Sequence, residues 1–120
     1  MLNVQIAQLN FLIMITANTV ENQFGVIYLT KSILQPDGDE KCFISGSRTN
    51  LDIHHVYHGS ANRKIADREG CWVWLRHDIH MRLHDSDKKL DRYLQEECQK
   101  KFEETRTRDE FRRLFGKSYL

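Results

Sequence analysis

Six histidines stand at positions 54, 55, 58, 77, 80 and 84, and the rest of the chain has none. That crowding is hard to ascribe to general surface composition. Imidazole is both the commonest protein metal ligand and the side chain that exchanges protons near neutral pH, so the cluster points to metal binding, acid–base chemistry, or both. His80 and His84 are four residues apart, which puts their rings on one face of a helix where they can converge on one ion. Alone, such an HxxxH pair is more often two solvated side chains. The adjacent His54 and His55 supply what the pair lacks, namely a third nitrogen ligand and a candidate base beside it. Three protein ligands with an open coordination position describe a catalytic zinc site, whereas structural sites are usually closed by four. His77 either orients a ligand, contacts a phosphate or is simply solvated, and His58 falls in a loop. Neither is assigned to the metal.

The elements that must position these rings are legible in part. Val4, Ile6, Leu9, Phe11, Ile13 and Ile15 fall at near-alternate positions, which predicts a strand over residues 3–15 with one slip. A second strand is expected over Phe24 to Thr30, separated from the first by polar Thr16 to Gln23, and the Gln35-Pro36-Asp37-Gly38 turn closes the segment. Asn50 to Tyr57 reads as a short strand, Gly59 to Asn62 as a polar loop, and Cys71 to Leu75 as a strand with bulky residues on both faces. Asp78 can N-cap a short helix carrying Ile79 to His84. Ser86 or Asp87 can cap a longer one, in which Leu90, Leu94, Cys98 and Phe102 recur every four residues. Thr107-Arg-Asp-Glu110 has capping-box spacing for a final helix through Phe111, Leu114 and Phe115, ended by Gly116.

His54 and His55 pose a geometric problem, because neighbours on a regular strand point to opposite faces. A twisted or bulged strand end is the expected solution, with one ring on the metal and the other toward substrate. On a regular strand, one of the two would instead be a packed core residue.

The order of a strand with His-His, a loop, a second strand and a helix with HxxxH resembles the HNH (ββα-metal) nuclease motif. Its all-histidine form is similar to that of the colicin DNases. Cys42-Phe-Ile-Ser-Gly46, His54-His55, Ala61-Asn-Arg-Lys64, Gly70-Cys-Trp-Val-Trp-Leu-Arg76 and the tail Gly116-Lys-Ser-Tyr-Leu120 resemble small phage-encoded HNH proteins. The likeness covers about residues 42–120. It implies metal ligands at His54, His80 and His84, a general base at His55, and cleavage of DNA phosphodiester bonds with one divalent ion, in DNA processing or recombination. The family usually carries an Asn just before the second strand to pin the loop, whereas Gly70 falls near that place here. Asn62 is the residue that can serve instead. Arg63, Lys64, Arg76 and Arg82 are the basic groups nearest in sequence for flanking phosphates. Three imidazoles favour Zn²⁺, Ni²⁺ or Mn²⁺ over Mg²⁺, although members of the family differ in the metal they use.

The expected fold is therefore α+β: an N-terminal β segment, residues 1–40, that packs on the core or on another copy, then an HNH core with a C-terminal helical extension over residues 41–120. A chain of 120 residues has room for one small domain. Its 40% apolar and 29% charged residues are those of a globular protein. Residues 1–40 carry one basic group (Lys31) against four acidic ones (Glu21, Asp37, Asp39, Glu40), net −3; the remainder holds 17 Lys/Arg and 13 Asp/Glu, net +4. That mild excess can face a polyanion such as DNA without identifying one. The longest apolar run, Phe11 to Ile15, is too short to cross a bilayer and lacks an export signal. Cys42, Cys71 and Cys98 are odd in number with no CxxC, so a reducing cytoplasm, that of the host cell for a phage protein, is expected. Two rival readings stand beside the nuclease: a non-catalytic module with a structural zinc ion that binds DNA or protein, and an assembly protein whose N-terminal strands pair between copies as a homodimer.

Overall fold

A computed structural model describes residues 20–22, 25–27 and 29–120. The chain divides into two compact units, residues 1–31 and 32–120. In the first, strands β1 (Val20–Asn22) and β2 (Gly25–Ile27) pair antiparallel, Val20 opposite Ile27 and Asn22 opposite Gly25. The strand expected over Phe24 to Thr30 is thus shorter, and its partner comes from the segment Thr16 to Gln23 that was expected to be a polar separator. The expected strand over residues 3–15 lies outside the described residues.

The second unit runs β3 (Leu51–His55), α1 (Ser60–Glu69), β4 (Trp72–Arg76), α2 (His77–Asp85), α3 (Lys88–Phe102) and α4 (Arg108–Phe115). The class is α+β, as expected. β3 and β4 form a two-stranded antiparallel sheet in unbroken register from Leu51 opposite Arg76 to His55 opposite Trp72. Residues 32–43 cover the far edge of β4. The Trp72 carbonyl accepts from Ser32 Oγ, the Trp74 N–H donates to Gln35 Oε1 at 2.8 Å, and the Trp74 carbonyl accepts from the Phe43 N–H at 2.8 Å. An edge satisfied in this way offers little to another strand.

Two local expectations are corrected. The segment Gly59 to Asn62 is not a plain polar loop, since Ser60 already begins α1. Gly-Ser-Ala-Asn composition suggests a turn, but the helix-forming run Arg63 to Glu69 that follows, with buried Ala66 and half-buried Ile65, carries the helix back across Ser60. Gly70 ends it at φ 78°, a left-handed conformation that suits glycine, and its N–H donates to the Ala66 carbonyl. Nor does Asp78 cap α2. That helix starts at His77, directly off β4, with Arg76 at the cap position and no side-chain cap; Asp78 instead binds the Arg76 guanidinium at 2.6 and 3.0 Å.

The remaining helix ends follow the sequence. Of the two candidates for α3, Asp87 is the cap and accepts from the Leu90 N–H at 3.1 Å. Thr107 and Glu110 complete a reciprocal capping box, and Gly116 closes α4 with φ 89°. Leu94, Cys98 and Phe102 of α3 are buried against Tyr57, Phe111 and Phe115. Tyr57 sits at the centre, its ring 4.5–5.1 Å from those of Phe111, Phe115 and Tyr119 and its hydroxyl donating to the Gln95 carbonyl at 2.7 Å. Buried Gln99 accepts from the Tyr119 N–H and donates to Ser118 Oγ, which ties down the C-terminal tail. The three cysteines are buried and free. Among the described residues, no helix is long and apolar enough to cross a membrane.

Truncation of the aromatic centre leaves a cavity that so small a core cannot refill. Phe111→Ala is expected to lower the unfolding free energy by about 3–5 kcal/mol, against about 1 kcal/mol for Thr107→Ala at the cap. Urea unfolding followed by circular dichroism measures both; equal costs would refute this placement of the core.

Candidate metal centre

β3 presents its two faces to two different helices. Asp52 and His54, two residues apart, share the face toward α2, whereas His55 on the other face meets α1. His54 is 1% exposed. Its ring lies 5.1 Å from that of His80 and 5.4 Å from that of His84, centroid to centroid, and the rings of His80 and His84 are 4.8 Å apart. One nitrogen of each of the three lies within 4.8 Å of those of the other two, close enough for the set to hold one metal ion. The HxxxH spacing on α2 and the register of β3 produce this convergence.

Hydrogen bonding distinguishes the three rings. His80 has Nδ1 on Asp52 Oδ2 at 2.9 Å, which leaves Nε2 to face His84 Nε2 at 3.1 Å. A carboxylate on the far nitrogen is how proteins fix the tautomer and orientation of a metal-binding imidazole. His54 has no hydrogen bond at either ring nitrogen, although both are buried. Buried polar atoms are rarely left unpaired, because each costs about 1–3 kcal/mol. A divalent ion coordinated by His54 would satisfy one of them, so the donor set fits such an ion.

The electrostatics favour the neutral form of two of the three rings, His54 and His84. Burial, reinforced by His80, His58 and His84, pushes the His54 pKa down to about 3. Burial and the neighbouring imidazoles also lower that of His84. Hydrogen bonds from His80 and His77 hold the Asp52 carboxyl below the usual carboxylate range.

His55 has Nε2 2.6 Å from Asp67 Oδ1, on α1. The expected bulge is absent, since the pairing is regular through His55. His54 and His55 nevertheless border the same cleft of ≈ 430 Å³, with His58, Arg63, His80 and His84. The Val56 N–H still donates to the Cys71 carbonyl at 3.1 Å, and the backbone then bends at Val56 and Tyr57, so rings from both faces of the strand end border one opening. His54 is buried, as a regular strand would have it, and borders the cleft as well.

Asn62 donates from Nδ2 to the His58 carbonyl at 2.9 Å and so pins the turn into α1. Of the basic candidates, Arg63 lines the cleft, and Lys64 is exposed on the same helix outside the lining. Arg76 is paired with Asp78, and Arg82 lies 3.6 Å from Asp87. His77 contacts Asp52 Oδ2 at 2.7 Å, so it shares the carboxylate that orients His80. Sequence reasoning missed Asp52, Asp67 and Asp91, the last of which binds His58 Nε2 at 2.8 and 2.9 Å. Single carboxylates many residues away from their histidines leave no periodic signal. In comparisons with known proteins, no family model, no curated protein and no solved structure matches this chain.

A depressed histidine pKa carries a stability signature. Below pH 6.5 the unfolded chain takes up a proton that folded His54 does not accept until about pH 3. The unfolded state therefore binds more protons in that window, and metal-free protein loses stability as pH falls through it, by about 1.4 kcal/mol per pH unit for one such group. Urea unfolding of chelator-treated protein between pH 7 and 4.5 should show that slope, and His54→Gln should flatten it. An unchanged slope in the variant would refute the burial of a neutral His54.

Proposed function

We propose that this chain is an HNH-type (ββα-metal) endonuclease that hydrolyses DNA phosphodiester bonds with one divalent ion per chain. The observation that carries the reading is the pairing of two kinds of histidine at one cleft. His54, buried with no hydrogen-bond partner, converges with His80 and His84, while His55 beside it is held by a carboxylate on a different helix. The sequence order of β3, β4 and α2, with His54 on the first and His80 and His84 on the last, supports it further.

In this reading the roles follow from position. A proton on His55 Nε2 is donated to Asp67, so Nδ1 is left unprotonated to accept a proton from the attacking water, and Asp67 stabilises the imidazolium that results. His54, His80 and His84 would hold the ion, which when bound would supply Lewis-acid neutralisation of charge at the phosphate. Arg63 at the rim contacts a flanking phosphate and contributes a salt-dependent part of the DNA affinity. Nitrogen ligands favour Zn²⁺, Ni²⁺ or Mn²⁺ over Mg²⁺. A structural zinc module has no use for His55, an imidazole held by Asp67 at the cleft but outside the ligand set, which is why the catalytic reading is preferred.

Supercoiled-plasmid cleavage with several divalent ions tests it. His55→Ala should cut about 10²–10⁴-fold more slowly while retaining its metal, whereas His80→Ala should lose both cleavage and metal. Asp67→Asn should lower the rate at saturating DNA and leave DNA affinity unchanged. Cleavage by His55→Ala at the wild-type rate would rule out His55 as the base; no cleavage by wild type with any ion or DNA form would favour the non-catalytic zinc module.

A further inference from the structure

The centre contains a fourth imidazole that the three-ligand description does not use. His58 lies on the turn between β3 and α1, its ring 5.8 Å from that of His54 and 5.5 Å from that of His84. The three proposed ligands are themselves 4.8–5.4 Å apart by the same measure, so with respect to His54 and His84 His58 stands only slightly outside their spacing. It borders the same cleft. Its Nε2 is committed to both oxygens of Asp91 on α3, which leaves Nδ1 as its one remaining donor atom. This repeats the design of His80, whose Nδ1 is committed to Asp52 and whose Nε2 faces the site. His77, by contrast, also touches Asp52 but is absent from the cleft lining.

We propose that His58, oriented by Asp91, is a fourth and displaceable protein ligand: in the absence of substrate its Nδ1 completes a four-nitrogen set with His54, His80 and His84. The inference rests on the reading that those three hold an ion. His58 stands outside the group whose nitrogens are mutually within 4.8 Å, so its ring and the Asp91 carboxylate must shift together to reach the ion, and its side chain, 41% exposed on a turn, is placed where such a shift displaces no core residue. The turn is anchored on its far side, where Asn62 holds the His58 carbonyl. Four nitrogens close a tetrahedral site, whereas three leave a position open. A phosphate oxygen must then displace His58 to enter, and Asp91 keeps the released ring beside the cleft. The resting protein would hold its ion more tightly than a three-histidine site and keep solvent off it until substrate arrives.

The test uses Co²⁺ as the probe, since its visible absorption reports coordination number and donor set, and needs no DNA. Chelator-treated full-length wild type and His58→Ala are titrated with Co²⁺, and Zn²⁺ affinity is measured by competition with a coloured chelator. The expected result is a changed visible spectrum and a Zn²⁺ affinity at least tenfold weaker in the variant. Asp91→Asn, which leaves His58 in place but weakens the group that orients it, should lose about 10–100-fold in affinity, the usual effect of removing such a partner; it carries the test if circular dichroism shows that His58→Ala is misfolded. Spectra and affinities that match wild type in the folded variants would overturn the proposal, as would failure of wild type to bind Co²⁺. Altered spectra in a protein that cuts no DNA would uphold the fourth ligand and remove the nuclease reading instead.

Discussion

The arrangement depends on a single imidazole that is buried where it cannot be satisfied by protein. His54 sits on the inner face of a two-stranded sheet, pressed against α2, with both ring nitrogens desolvated and unpaired. In a core this small, an uncompensated polar ring is a substantial fraction of a typical net stability of about 5–15 kcal/mol. His80 and His84 stand opposite the ring, close enough for the three to hold one ion, and on the proposed reading that ion would offset the desolvation. Position and chemistry are therefore one constraint: the residue least suited to a hydrophobic core is the one best placed to bind an ion.

Carboxylates supply the second layer of order. Asp67 and Asp91 each hold one histidine by one nitrogen, and Asp52 holds both His80 and His77, so the other nitrogen of His80, His55 and His58 stays free of these carboxylates. They come from three elements, β3, α1 and α3, so the orientation of the rings is tied to the packing of the whole second unit. Helix α1, which connects the two strands in sequence, brings Asp67 to His55. The aromatic cluster about Tyr57 holds α3 and α4 against that frame and thereby fixes the position of Asp91.

Much of this was legible in the residue pattern, for identifiable reasons. His80 and His84 show as a pair because helical periodicity is strict, and Thr107, Glu110, Asp87 and Gly116 mark helix ends because their chemistry satisfies orphaned backbone groups. The expectations that failed turned on competition between local signals. Gly59-Ser60-Ala61-Asn62 has turn composition, yet the helix formers after it extend α1 back to Ser60. Asp78 has cap chemistry, yet β4 runs into α2 with no residue to spare, and Arg76 takes the carboxylate. Asp52, Asp67 and Asp91 could not be singled out, since what selects them is tertiary proximity rather than spacing. The regular register that carries His54 and His55 into one cleft was likewise outside what period-two reasoning anticipates, because it depends on where the chain leaves the sheet.

On the proposed reading His54 is buried as a metal ligand rather than as a packing residue, and ligand linkage measures this most directly. An ion that binds only the folded state raises its stability with concentration. Thermal unfolding of chelator-treated protein, repeated with one equivalent and with excess Zn²⁺, Ni²⁺, Mn²⁺ or Co²⁺, should show a melting temperature that rises with at least one of these ions in wild type and stays flat in His54→Gln. A wild-type melting temperature unmoved by every ion, or an equal rise in the variant, would contradict the account.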